Sequence, residues 1–537
     1  MMQHPLLLHT MLERARNVFP KKEIISRDYS GMFRYNYGEF YVRVCRLANV
    51  LQKLGVGKGD RVGTLAWNNH RHLELYFAIP CSGAVLNTLN LRLFTEQLIY
   101  VINHAEDKVI FVDEDLIPLL EGIKEQLTTV KSYVIMTDKK ELPQTSLSPV
   151  YSYEQLLAEA GTEYIFSRDV DEETVAAMCY TTATTGNPKG VMYTHRALVL
   201  HSLSECMPDA LGLSESDVIM PVVPMFHVNA WGLPFSATWV GATQVFVGSR
   251  PDPKVLCDLM QNEKVTITAG VPTIWMGVYA LISKQNYDLS SLRKIINGGS
   301  ALPEALLNGY REKLGLDITH AYGMTETTPL VLSCQLKAYM KDWPQDKKNK
   351  ILLKQGTIVP GLEMRVIDDM GNDVPRDGKT MGELVLRGPW ITSEYYKDPE
   401  RSKEVITPDG WFKTNDIVTI DEEGYVQVAD RTKDLIKSGG EWISSVDLEN
   451  AIMSHPAVAE AAVIAIPHDK WDERPMACVV LKPDRTENVS EQDILDFLDG
   501  KIVKWWMPDR VVFIDEVPKT SVGKFDKKVL RQQYTGR

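Results

Sequence analysis

The sequence predicts an α/β protein that carries a small α+β domain at its C-terminal end, and three observations support this. Over the first 300 residues short apolar runs alternate with amphipathic helical patterns, the signature of parallel strands layered with helices. Between Gly356 and Gly388 that texture gives way to short hairpin-like runs, a small β-rich module. Beyond the charged run Asp430-Arg431-Thr432-Lys433-Asp434 the pattern turns α+β.

The elements follow in order. Arg61–Ala66 reads as a strand and is followed by a helix around His70–Pro80. Thr95–Ala105 has a helical pattern, and Lys108–Val112 is the next strand. Ser132–Met136, Asp217–Val223, Thr243–Val247, Val265–Ala269 and Lys294–Asn297 are further strands, with helical stretches between several of them. Met364–Ile367 and Glu383–Leu386 flank a Gly371-Asn372-Asp373 turn as a hairpin would. The last part has strands at Val458–Ile466 and Met476–Leu481, a helix over Glu491–Val503 and a strand at Arg510–Ile514. There is no internal repeat and no low-complexity linker; charge marks the boundary near residue 432.

Composition bounds the function. The chain has 537 residues, 44% of them apolar and 24% charged, ordinary for a globular protein. A net charge of −12 argues against nucleic-acid partners, so anionic ligands have to be met by local lysines and arginines. Seven scattered cysteines without a CxxC pair point to free thiols in a reducing compartment. No apolar run is long enough to span a membrane, and the first residues are too short and uncharged for a signal peptide. The expected location is the cytoplasm.

The most informative run is Tyr180-Thr181-Thr182-Ala183-Thr184-Thr185-Gly186-Asn187-Pro188-Lys189-Gly190, after the apolar segment Val175–Met178. Hydroxyls and glycine amides can donate to a polyphosphate, and a lysine can neutralise it. The spacing is not that of the P-loop; the chain's Gly378-Lys379-Thr380 has Asp373 where the leading glycine belongs. A polar surface loop has the same composition.

This run resembles the phosphate loop of the adenylate-forming enzymes: acyl-CoA synthetases, luciferases and peptide-synthetase adenylation domains. Their pattern is Ser/Thr-Ser/Thr-Gly-Ser/Thr-Thr-Gly-x-Pro-Lys-Gly, and only Ala183 departs from it. Other motifs follow in the family's order and extend the resemblance over nearly the whole chain. It is nearest to bacterial long- and medium-chain fatty acyl-CoA synthetases and methylthioalkanoate CoA ligases.

The resemblance implies a large N-terminal AMP- and acyl-binding domain of layered α/β subdomains over residues 1–430. It also implies a mobile C-terminal domain over 431–537, with a hinge near 431–434. It implies ATP, a carboxylic acid and coenzyme A as ligands and Mg2+ as the metal. Thr181, Thr182, Thr184, Thr185, Gly186 and Lys189 are implied at the phosphates, and Gly298, Gly299, Ser300, His320, Ala321, Tyr322, Gly323 and Thr325 around the nucleotide. Glu326 with Thr181 is implied at magnesium, as a carboxylate with hydroxyls suits this hard cation. Asp416 and Arg431 are implied at the ribose, with Asn415 replacing the family's glycine in a turn that asparagine tolerates. Lys433 occupies the hinge position, and Lys437 and Trp442 approach the nucleotide or CoA. Ser438, Gly439, Gly440 and Glu441 complete the CoA side. Lys524 resembles the catalytic lysine that bridges carboxylate and α-phosphate. His227 and Trp231 resemble the gate of an acyl tunnel, four residues apart and so on one face of a helix. Without the resemblance, a core aromatic cluster explains this pair and a solvated charge run explains 431–437.

The implied function is an ATP-dependent acid–CoA ligase for a medium- or long-chain fatty acid, with a short acid such as a methylthiopropionate as the alternative. Delivery of the acyl group to a carrier protein, or to oxygen chemistry, is a second alternative. A non-catalytic nucleotide sensor has only Ala183 in its favour, and a nicotinamide oxidoreductase lacks a GxGxxG after an early strand. A homodimer is left open.

Overall fold

Parallel strands need crossovers, and the sequence supplies helices between them; the computed structural model shows how these layers stack. It describes residues 1–181, 187–431, 434–439, 441–482, 489–519 and 525–535. Among these, a seven-stranded sheet runs in the order Val150–Ser152, Ser132–Met136, Asp107–Asp113, Arg61–Leu65, Val85–Thr88, Val175–Tyr180, Gly190–Thr194. All its pairings are parallel except the last, where Tyr180 faces Gly190 across a hairpin. The phosphate-loop run is the connection of that hairpin.

A nine-stranded sheet has a parallel centre through Ile318–Gly323, Lys294–Asn297, Ile267–Gly270, Val218–Pro221, Thr243–Phe246 and Glu23–Arg27. Antiparallel strands close its edges at Met32–Asn36, Leu330–Ser333 and Thr357–Ile358. Strands such as Val109–Val112 are buried on both faces, which explains their unbroken apolar runs. The β-rich module is a four-stranded antiparallel sheet of Glu363–Ile367, Gly382–Arg387, Phe412–Ile420 and Val426–Arg431.

The last part builds its own five-stranded sheet from Ile436–Ser438, Glu441–Ile443, Val458–His468, Asp472–Leu481 and Arg510–Phe513. Its core of Ile436, Leu448, Val463, Val479, Ile494 and Leu498 is separate from the larger cores. The helix expected over Glu491–Val503 ends at Leu498. Gly500 there has φ +75°, where a helix cannot continue. Ser490 opens that helix with a capping box through Asp493.

Candidate active site

Three turns and one hinge-side strand converge. The hairpin Val175–Tyr180/Gly190–Thr194 brings Thr181 and Lys189 together: Thr181 N donates to Lys189 O at 2.9 Å, and Lys189 N donates to Thr181 Oγ1 at 3.2 Å. The loop is thus closed at its base. Thr182, Ala183, Thr184, Thr185 and Gly186 lie outside the described residues, as do Lys433, Gly440, Lys524 and the side chain of Glu441.

The strand Ile318–Gly323 ends in the short turn Thr325–Thr327. Gly323 is required there, because a Cβ would lie 2.0 Å from the Pro329 carbonyl oxygen. Tyr193 Oη donates to Thr325 O at 2.8 Å, and Thr392 N donates to Glu326 O at 2.8 Å. Thr325 and Glu326 are buried and are held through their carbonyl oxygens. Glu326 Oε1 accepts from Tyr395 Oη at 2.8 Å, and Lys189 Nζ donates to the same hydroxyl at 2.9 Å. Sequence reasoning missed Tyr395, because its partners lie far away in the chain. Burial lowers the Lys189 pKa, against the opposing pull of Glu326.

Tyr322, Asp416 and Arg431 form a second knot. Asp416 and Arg431 face each other across neighbouring strands, with Arg431 Nε 3.3 Å from Asp416 Oδ1. Tyr322 Oη donates to Asp416 Oδ2. Asp416 holds the Arg431 guanidinium above its ordinary value, and burial, reinforced by Asp416, keeps the Tyr322 phenol neutral. Tyr322 and Glu326 lie on one strand and the turn that follows it, so the two knots share that segment. Asn415 adopts φ 59°, as expected of an asparagine standing for glycine.

His320 is buried, with Nδ1 3.2 Å from Leu353 O and Nε2 3.3 Å from Ser300 O. It fastens the Gly298–Ser300 turn to the strand bearing Ala321 and Tyr322. Burial lowers its pKa, and a neutral ring donates to only one of those carbonyls.

His227 and Trp231 do not share a helix face. Val228, Asn229, Ala230, Trp231 and Gly232 have φ of 46°, 52°, 50°, 59° and 82°, a left-handed turn. Such a turn costs L-residues roughly 1–2 kcal/mol each, so its surroundings must impose it. Asn68 accepts from Met225 N at 2.7 Å and donates to Val223 O at 2.8 Å, pinning the entry. Cys179 Sγ donates to Asn229 Oδ1 at 2.8 Å, pinning the middle. The turn lays Trp231 on Gly298, where a Cβ would lie 2.9 Å from the indole Cη2. Trp231 and the glycine turn are thus brought together.

On the C-terminal side, Lys437 and Trp442 are paired across the hairpin Ile436–Ser438/Glu441–Ile443. Ser438 Oγ accepts from Arg474 Nη1 at 3.2 Å, and Gly439 N donates to Trp471 O at 2.8 Å. Trp471 and Trp505 stand edge to face with centroids 4.7 Å apart beneath Gly439. These aromatics and Arg474 were not found from sequence; the Trp505-Trp506 pair was the available signal.

Magnesium poses a question of donors. Among the described residues no group of three or more His, Cys, Asp and Glu side chains could hold a metal ion. One buried carboxylate, that of Glu326, suits a magnesium ion that arrives with substrate phosphates and keeps water, not an all-protein cage. Among the described residues no helix is long and apolar enough to cross a membrane.

The chain matches the AMP-binding enzyme family over residues 12–396 and the AMP-binding enzyme C-terminal domain over residues 447–524. It is 48% identical to a long-chain-fatty-acid–CoA ligase of Thermus thermophilus, covering 99% of this chain and 96% of that one. It is 44% identical to a 3-methylmercaptopropionyl-CoA ligase of Ruegeria lacuscaerulensis, covering 99% and 98%. Among solved structures it resembles an anthranilate CoA ligase in complex with anthranoyl-AMP, with a TM-score of 0.88 and 27% identity over 99% of this chain and 98% of that one.

Proposed function

Because the chain belongs to the AMP-binding enzyme family, we propose that it is an ATP-dependent acid–CoA ligase working by two half-reactions. In the first, a carboxylate oxygen attacks the α-phosphorus of ATP, and pyrophosphate leaves an acyl-adenylate. In the second, the CoA thiolate attacks the adenylate carbonyl, and AMP departs. The observation that carries this reading is geometric: the strand Ile318–Gly323 and its turn carry Tyr322, bonded to Asp416 beside Arg431, and Glu326, bridged to Lys189 through Tyr395.

Lys189 and Thr181 meet the phosphates, Asp416 and Arg431 the ribose, and Tyr322 the adenine. Glu326 and Thr181 would hold magnesium, which offsets negative charge on the phosphates when bound. Lys524 meets the two anions where the new bond forms. The C-terminal domain then swings about 431–434, turning Lys437, Ser438, Gly439 and Trp442 toward the second reaction. Trp471 and Trp505 border the path of the CoA arm.

The acid is a medium- or long-chain fatty acid in this reading, supported by the buried apolar residues Val228, Leu233 and Phe235 near Trp231 in the chain and by the long-chain-fatty-acid–CoA ligase relative. The Ruegeria relative favours a second reading, a short thioether acid. The free cysteines fit a cytoplasmic location. Straight-chain acids from acetate to palmitate, and methylthiopropionate, assayed for pyrophosphate release with and without CoA, test the proposal. Each buried methylene contributes about 0.8 kcal/mol, so kcat/KM should rise steeply with chain length to a limit. A peak at four carbons or fewer would select the short-acid reading. Adenylate formed without thioester from free CoA would select delivery to a carrier.

A further inference from the structure

Two implied site residues on distant segments, the lysine of the phosphate loop and the carboxylate after the adenine strand, meet at one side chain. Tyr395 Oη accepts from Lys189 Nζ at 2.9 Å and donates to Glu326 Oε1 at 2.8 Å. The ammonium also lies 4.2 Å from the Tyr395 ring centroid. The direct Lys189–Glu326 separation is 3.8 Å, so the hydroxyl stands where a shorter ion pair would otherwise form. Tyr395 is 3% exposed, and its single donor and its acceptor role are both used.

The backbone around it is tied to both partners. Tyr396 N donates to Gly190 O at 2.8 Å, next to Lys189, while Thr392 N donates to Glu326 O at 2.8 Å. Tyr395 N donates to Ser402 Oγ at 2.9 Å, which fixes the segment from its far side. The tyrosine engages one oxygen of the carboxylate, Oε1.

We propose that Tyr395 is a positioning residue for adenylate formation, its hydroxyl holding the Glu326 carboxylate and the Lys189 ammonium apart at the spacing that magnesium and the triphosphate tail require. This rests on the ligase reading. Without the hydroxyl, the half-buried ammonium and the buried carboxylate close into a direct pair, which MgATP must then break.

Tyr395→Phe keeps the ring and its contact with the ammonium. The expected result is about a tenfold rise in KM for MgATP and a higher magnesium requirement, with kcat and the KM for acid within threefold of wild type. Calorimetric titration with ATP, with and without magnesium, reads the same effect without turnover: the variant loses about tenfold in affinity when magnesium is present. The melting temperature without nucleotide stays near that of wild type. A variant that binds MgATP like wild type would overturn the assignment, whatever its melting temperature. Wild-type protein lacking acid-dependent pyrophosphate exchange would instead overturn the ligase reading beneath it.

Discussion

At the scale of single residues, the pair His201 and Glu205 shows burial deciding charge. Both side chains are fully buried, with His201 Nδ1 4.0 Å from Glu205 Oε2, inside ion-pair range but too long for a hydrogen bond. His201 Nε2 accepts from Leu330 N at 3.1 Å, and Glu205 Oε2 accepts from Ser236 Oγ. Burial pushes the Glu205 carboxyl up to about 8 and the His201 ring down to about 3, so both are neutral at pH 7. The sign follows from linkage. Between the ordinary carboxylate pKa and about 8 the unfolded chain releases the Glu205 proton while the folded chain keeps it, so stability falls as pH rises. The histidine adds an opposing slope until the unfolded imidazole has lost its proton, about pH 7.5, and this contribution is common to wild type and a Glu205 variant. Glu205→Gln should therefore flatten the decline in melting temperature between about pH 6.5 and 8. Parallel curves for variant and wild type would show that the carboxyl is not held neutral.

Gly298 supplies a second residue-scale expectation. A methyl group there would lie 2.9 Å from Trp231 Cη2 and 3.1 Å from Ala321 O, so the indole must move. Gly298→Ala should raise the KM for acids several-fold and alter the dependence of kcat/KM on chain length. An unchanged profile would mean that Trp231 does not border the acyl path.

At the scale of elements, the helix Lys527–Thr535 fastens the C-terminal domain to the hinge side. Lys527 Nζ lies 2.7 Å from Glu449 Oε1 and also donates to Ser445 Oγ. Ser445 N donates to Asp430 Oδ2 at 2.8 Å, and one turn along the helix Arg531 reaches Asp434 at 2.7 Å. Burial opposes the Lys527 charge, but Glu449 and Asp430 more than offset it. Lys527→Ala leaves Glu449 buried and unpaired, a loss of about 3–5 kcal/mol, measurable by denaturant unfolding. Adding Glu449→Gln should restore much of it. A loss below about 1 kcal/mol would mean that water reaches the pair.

Elements were legible where one period held without interruption. Thr95–Ala105, Ser132–Met136 and Lys294–Asn297 form as the sequence predicts, because their patterns end at clear breaks. The overrun at Glu491–Val503 came from apolar residues continuing past Gly500, which the backbone uses as a stop. The left-handed turn Val228–Gly232 was not legible, since no local preference favours it and distant side chains such as Asn68 and Cys179 impose it. Tyr395 stayed hidden for a related reason: its meaning lies in two partners that only folding brings near.

At the scale of the whole molecule, the proposed function puts two chemistries on one nucleotide site, served in turn by the C-terminal domain. The large domain carries Lys189, Glu326, Tyr322 and Asp416 on the ends of two sheets and one β-rich module. The small domain has its own core, which the proposed swing would require. On this account Lys524 serves adenylate formation, and the hairpin bearing Lys437 and Gly439 serves thioester formation.

The most direct test of that division measures the two half-reactions separately in Lys524→Ala. Acid-dependent pyrophosphate exchange reports the first, and thioester formation from CoA and synthetic acyl-adenylate reports the second. Exchange should fall by at least about a hundredfold, with thioester formation within a few-fold of wild type. Near-normal exchange, or equal loss of both reactions, would contradict that division.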